Sequence, residues 1–184
     1  RELGQLKIPG FSSYLHPVGE NHVLGIGYDD TGWPRRIKAS LFNVTNPATP
    51  LEQAVLNLGN TYTGSAALWD PHAFTLYYPE ENSTEAVMAI PVRSYRRAEY
   101  STGEESGIRL VSVKPDSGSL ALSLRGTLDM SDLLNASSSI SGWRSTDPRR
   151  AVFINETAYG ISDAAVRAVS LSDPATEVGT LMIP

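Results

Sequence analysis

The chain has 184 residues, 41% of them hydrophobic and 19% charged, with a formal net charge of −5 and no cysteine, which excludes disulfides and thiolate metal sites and leaves room for one sizeable core or several repeats sharing one. No apolar run approaches the roughly 18 residues of a bilayer-crossing helix, and the 15 Lys and Arg are scattered apart from Arg35-Arg36, Arg96-Arg97 and Arg149-Arg150, so neither a membrane span nor a nucleic-acid partner is expected. The chain starts at Arg1, with no initiator Met or signal peptide, and reads as a processed or truncated piece of something longer.

The first predicted element is GQLKIP (residues 4–9), and the same G-x-L-x-I-P string closes the chain as GTLMIP (179–184). Between them the elements repeat. A strand around Tyr14 to Val18 leads to HVLGIGY (22–28), SLFNV (40–44), and NPATPLEQAVLNL (46–58), a turn followed by an alternating strand. A second group runs through SAALW (65–69) into AFTLYY (73–78), then AVMAIPV (86–92) and RLVSVKPDSGSLALSLRG (109–126). The polar stretch RSYRRAEYSTGEESG (93–107) lacks periodicity and is expected to be an exposed, mobile insertion. SDLLNASSSI (131–140) is the best helix candidate, with Asp129 or Ser131 as cap. A third group has AVFIN (151–155), TAYGIS (157–162), RAVSL (167–171) and DPATEVGTLMI (173–183).

Apolar alternation at period two, flanked by Pro, Asn, Asp and Gly, is the pattern of β-hairpins. Aligning Val44, Val113 and Leu171 superimposes the three hairpins, and recurrence at this scale points to a solenoid, an array or a propeller. Four short antiparallel strands per unit is the make-up of a propeller blade. The expectation is therefore an all-β chain, a β-propeller fragment of about three four-stranded antiparallel blades over 14–58, 65–128 and 149–183. Residues 1–10 would be the outer strand of a preceding or closing blade.

The runs LKIPGFSSYLHPVGENHVLGIGYD (6–29), KASLFNVTNPATP (38–50) and SAALWDPHAF (65–74), with RRAVFINETAYGISDAAVRAVSL (149–171) near the end, resemble bacterial and archaeal secreted proteins with a C-terminal β-propeller distantly related to WD-type repeats. The resemblance covers nearly the whole chain, and YLHPVG and LFNVTNPATP are its most specific parts. It implies a secreted or cell-surface location and no particular reaction. The chain departs from the family in length, corresponding to about the last half of such a domain.

Few residues stand out as chemical. His16 and His72 each neighbour a proline near the start of a unit, where an inner strand would carry them toward the axis; a metal or acid–base role is conceivable, but no ligand spacing supports it and a turn contact explains each. His22, beside a turn, reads as surface. Asp29 and Asp30 in GYDDTG, and Asp70 beside His72, resemble halves of an acid–base or Ca²⁺ site, yet D-D-T-G does not complete a Ca²⁺ loop and suits a turn. No cofactor is expected, with Ca²⁺ only weakly suggested. Trp33, Trp69 and Trp143 suit ligand stacking at a propeller mouth, or inter-blade packing and loop anchoring. Sequons at Asn43, Asn82, Asn135 and Asn155 use half of the eight asparagines, which favours export.

Two functions are carried forward. The first is a non-catalytic, exported propeller module that binds a protein or glycan, with His16, Asp29, Asp30, Trp69, Asp70 and His72 as candidate binding residues. The alternative is a carbohydrate-active hydrolase with a carboxylate site at the mouth, using Asp29 and Asp70. Three blades subtend only part of a ring, so the expected partners are the remaining blades of the same protein or a second copy.

Overall fold

The structure is a computed structural model that describes residues 1–33, 35–59, 62–81, 83–94, 106–133 and 147–183. The hairpin pattern becomes three antiparallel sheets. The first holds β1 (Phe11–Val18), β2 (His22–Asp29), β3 (Arg36–Asn43) and β4 (Leu51–Asn57) in chain order. The third holds β10 (Arg150–Ile154), β11 (Thr157–Ile161), β12 (Ala165–Ser170) and β13 (Glu177–Met182), again in order. The second has β7 (Ala86–Ser94), β8 (Ser106–Val113) and β9 (Leu122–Asp129), with its first strand split into β5 (Thr63–Gly64) and β6 (Thr75–Tyr77), which pair with β7 at Arg93–Ser94 and at Val87–Ala89.

The repeat extends to irregularities of the ladder. In every sheet the register between the last two strands shifts at one equivalent place, Leu41/Phe42, Leu110/Val111 and Ala168/Val169. Each lies the same distance before the aligned Val44, Val113 and Leu171. A β-bulge there sharpens the twist of the blade. The following turns are also alike: Thr49, Ser117 and Thr176 donate their N–H to the carbonyls of Asn46, Lys114 and Asp173. Each turn has a proline at its second position, Pro47, Pro115 and Pro174, where a fixed φ suits it.

The sheets stack face to face, and the middle one is covered on both sides. Met88 and Ile90 of β7 join Leu24, Ile26, Ile37 and Leu41 of the first sheet, while Val87 and Ala89 join Ala158, Ala165 and Val169 of the third. That is why AVMAIPV is apolar without alternation, whereas β1, with one face open, alternates between exposed and half-buried residues.

Several expectations are corrected. SAALW is not a strand: residues Ala66–Leu68 and Pro71–Ala73 are two 3-10 turns. Ser65 caps the first through the Ala67 N–H and Asp70 the second through the His72 N–H, and these side-chain caps outcompete a β ladder. GQLKIP forms no strand either, since no strand of the described residues offers it a ladder. It lies against the first sheet, with the Pro9 carbonyl accepting from Lys38 Nζ at 2.9 Å. Of the 93–107 insertion, Arg93, Ser94, Ser106 and Gly107 belong to β7 and β8, and Ser94 and Ser106 are buried; residues 95–105 lie outside the described residues, as does the helix candidate from 134 onward.

Candidate functional site

The split first strand of the second sheet is where side chains with chemical potential come to the surface. Between β5 and β6 the chain leaves the ladder, and the two 3-10 turns carry Trp69, Asp70 and His72 outward. Trp69 is 71% exposed. Asp70 Oδ1 accepts the His72 N–H at 2.9 Å and lies 3.1 Å from His72 Nδ1; the backbone hydrogen bond from His72 chiefly holds the Asp70 carboxyl below its ordinary pKa. Trp69 borders a shallow cavity of about 220 Å³ with Ser65, Pro91, Arg93, Asp147 and Arg149. The charges at its rim are already matched, Arg93 with Asp147 and Arg149 with Asp163.

His16, on β1, belongs to an aromatic cluster linking the first two sheets. Its ring lies 5.1 Å from that of Phe74, and Tyr14 lies 5.3 Å from Phe74. The Tyr14 hydroxyl is 3.1 Å from His16 Nδ1. Partial burial pushes the imidazole below its ordinary pKa, because desolvation disfavours the charged form. The unfolded chain then binds the proton more readily than the folded one, so this contribution to stability is complete above the unfolded pKa of about 6.5 and is lost as pH falls below it. Wild type is expected to lose thermal midpoint on going from neutral to mildly acidic pH, and His16→Phe to lose less over the same interval, as followed by circular dichroism.

Asp29 and Asp30 lie at the other candidate position, the β2–β3 turn. Asp29 accepts from Thr31 through its N–H at 3.0 Å and its hydroxyl at 2.7 Å, bonds that hold its carboxyl low. Asp30 pairs with Arg35 at 2.5 Å. Among the described residues, no hydrogen bond or ion pair joins this turn to Asp70 or His72, and no three His, Asp or Glu side chains converge to hold a metal ion. His22 is half-buried on β2, with Nε2 3.2 Å from Gln53 Oε1. Trp33 is exposed at 87%, so neither Trp33 nor Trp69 serves as inter-blade packing; Trp143 lies outside the described residues.

Of the sequons, Asn155 is exposed at the tip of the β10–β11 hairpin with φ +52°, a left-handed conformation asparagine tolerates. Asn43 ends β3 half-buried, its side-chain amide donating to Gln53 Oε1 at 3.3 Å. Asn82 and Asn135 lie outside the described residues.

Sequence reading missed the cations between sheets. Arg167 donates from Nη1 to the Asp129 carbonyl at 2.8 Å, pairs with both oxygens of Asp132, and reaches Thr180 on its own outer strand. Arg109 does likewise, from Nε to the Leu58 carbonyl at 3.1 Å and from Nη1 to Thr127. Lys38 takes the same part in the first sheet, bonding Pro9 O and Glu52. The signal was present: Arg109 and Arg167 each stand four residues before the aligned Val113 and Leu171, as charges inside otherwise apolar strands.

Stacked four-stranded antiparallel sheets, each joined to its neighbour through its outer strand, define the β-propeller class. The chain belongs to the beta propeller domain family, whose model matches residues 1–174. It is 47% identical over 72 residues to an uncharacterized protein of Methanocaldococcus jannaschii, a match covering 39% of this chain and 11% of the relative. It is also 42% identical over 74 residues to an uncharacterized protein of Archaeoglobus fulgidus, covering 40% of this chain and 11% of that relative. The matched stretch is thus a small part of either relative's length. No solved structure matches.

Proposed function

We propose that this chain is a non-catalytic binding section of an exported propeller, and that its ligand-facing surface is the strand-interrupting insertion bearing Trp69, Asp70 and His72. The observation that carries this reading is Trp69, a large ring exposed on a well-capped insertion beside a shallow cavity. Its neighbours there are charged but mutually neutralised, which suits a neutral polar ligand with an apolar face, such as a sugar ring, better than an ion. Export is favoured by the exposed Asn155 sequon.

The hydrolase reading needs two carboxyls placed across one scissile bond. Asp29 and Asp70 are each tied to their own turn instead, so the binding reading is preferred.

The test is titration of the chain with soluble glucose and N-acetylglucosamine oligosaccharides, followed by calorimetry and tryptophan fluorescence. Binding should fall by roughly tenfold or more in Trp69→Ala, with thermal stability within about 0.5 kcal/mol of wild type, since the side chain is largely in solvent. Binding undiminished in Trp69→Ala would move the ligand elsewhere, and release of shorter sugars would promote the hydrolase.

A further inference from the structure

The extra residue at a β-bulge has no partner across the ladder, so its side chain is aimed independently of the strand pairing. In the first sheet, where Leu41 pairs with Ala54 and Phe42 with Glu52, that residue is Gln53; in the second, where Leu110 pairs with Gly126 and Val111 with Leu124, it is Arg125. The two hold one position of the repeat and are used differently. Gln53 closes the junction between the first and second sheets: its Nε2 donates to the Pro115 carbonyl at 2.6 Å, and its Oε1 lies 3.2 Å from His22 Nε2 and 3.3 Å from Asn43 Nδ2. Arg125, at the junction between the second and third sheets, is exposed and makes no hydrogen bond or ion pair with a described residue.

Where Gln53 seals, Arg125 borders a cleft of about 790 Å³, within the roughly 300–1,000 Å³ of small-molecule sites. The buried residues that line it are apolar, Ala86, Val87 and Leu171. Lys114 at its edge is committed to Glu85, Nζ to Oε2 at 2.7 Å. Glu80, from the β6–β7 loop, and Glu156, from the β10–β11 hairpin, also line it, and their carboxylates have no hydrogen bond or ion pair among the described residues. The walls are held by other groups: the Thr84 hydroxyl donates to Asp116 at 3.2 Å and the Tyr77 hydroxyl to the Asn155 carbonyl at 3.2 Å. This cleft lies at the start of β7, whereas the cavity beside Trp69 reaches Pro91 and Arg93 near its end.

We infer that this cleft is a second binding site, for a short peptide of two or three residues with both termini free. An unpaired guanidinium selects a carboxylate, which it takes bidentately. The carboxylates of Glu80 and Glu156 select an ammonium group, and the apolar lining suits an aliphatic side chain. Arg125 and Glu156 line one cleft yet form no ion pair, a separation that a ligand carrying both charges bridges. Phosphate, the other common partner of arginine, is disfavoured: the carboxylates of Glu80, Glu85 and Glu156 outnumber the cations Lys114 and Arg125, so the lining repels a dianion. The inference stands apart from the sugar reading, since it rests on none of the insertion's residues.

Calorimetric titration of the chain at neutral pH with leucyl-leucine, its N-acetyl form and its C-terminal amide tests this. The free dipeptide should bind, and each capped form should bind roughly tenfold or more weakly. Arg125→Ala should weaken the free dipeptide by a similar factor and abolish the discrimination against the amide, because the partner of the carboxylate is gone. Glu80→Gln/Glu156→Gln should instead abolish the discrimination against the N-acetyl form. All three side chains are exposed, so both variants should keep the wild-type thermal midpoint. No binding of leucyl-leucine at roughly 10 mM, equal binding of free and capped forms, affinity indifferent to Arg125→Ala, or tighter binding of inorganic phosphate would each overturn the assignment. A fall in thermal midpoint in either variant would do so too, since these side chains would then be building the junction.

Discussion

Arg167→Ala is expected to lower the unfolding free energy by about 3 kcal/mol, a fall of roughly 6–12 °C in thermal midpoint for a chain of this size. The Arg167 side chain is only 11% exposed and ties three things together: the Asp129 carbonyl, the Asp132 carboxylate and the Thr180 hydroxyl. Truncation removes all of these at once and leaves a carbonyl at the junction of the second and third sheets without its donor. Asp132, by contrast, is 63% exposed, so Asp132→Asn should cost only about 1 kcal/mol, as exposed ion pairs do. Arg167 holds the Asp132 carboxyl below its ordinary pKa. The stabilisation is therefore present above the unfolded pKa of about 4 and disappears as pH falls through the folded value. Denaturant unfolding at neutral pH should separate wild type from Asp132→Asn, and the gap between them should narrow progressively as pH is lowered below about 4, while Arg167→Ala remains the weakest.

The blades were legible because their physics is local. Alternation, proline turns and glycine placement reveal strands and hairpins without knowledge of what covers them, and the Val44, Val113 and Leu171 alignment held down to the bulges. The split inner strand was not legible in the same way. SAALW and AFTLYY have strand composition, and only the caps at Ser65 and Asp70, the latter with Pro71 behind it, signal that the backbone bonds itself into 3-10 turns. The short β6 nevertheless keeps its place through cross-sheet contacts: Tyr77 stacks on Phe153 at 4.8 Å and Thr75 donates to the Ala151 carbonyl. Each of those partners lies 76 residues away in sequence, where local pattern carries no information.

The candidate site divides along the same line. Asp29, Asp30 and Asp70 read as turn residues; Asp29 and Asp70 make the hydrogen bonds of turns, to Thr31 and to His72, while Asp30 pairs with Arg35. His16 was read by its proline neighbour, while its main contact, Phe74, comes from another sheet. The inter-sheet cations were passed over because a charge in a strand reads as a solvated edge until its acceptor, a carbonyl in the preceding repeat, is known.

Gly126→Val should be as damaging as Arg167→Ala, by a different route. Gly126 is the point on β9 where the third sheet's turn makes its closest approach, and a Cβ there would lie 2.7 Å from Pro174 Cβ and 2.8 Å from its Cγ. The proline ring cannot rotate away, and its turn is held by Asp173, which accepts from the Ala175 N–H and the Thr176 hydroxyl. Relief must come from moving the third sheet bodily, which stretches the Arg167 bonds and opens space around Leu128 and Met130. Overpacking of this kind costs about 3 kcal/mol where the neighbour is rigid. Because both substitutions loosen one junction, the double variant should be destabilised by clearly less than the sum of the two. A double-mutant cycle in urea measures this: full additivity would mean that the proline turn and the arginine hold the sheets independently, whereas a shortfall of roughly 1 kcal/mol or more would make them parts of one joint.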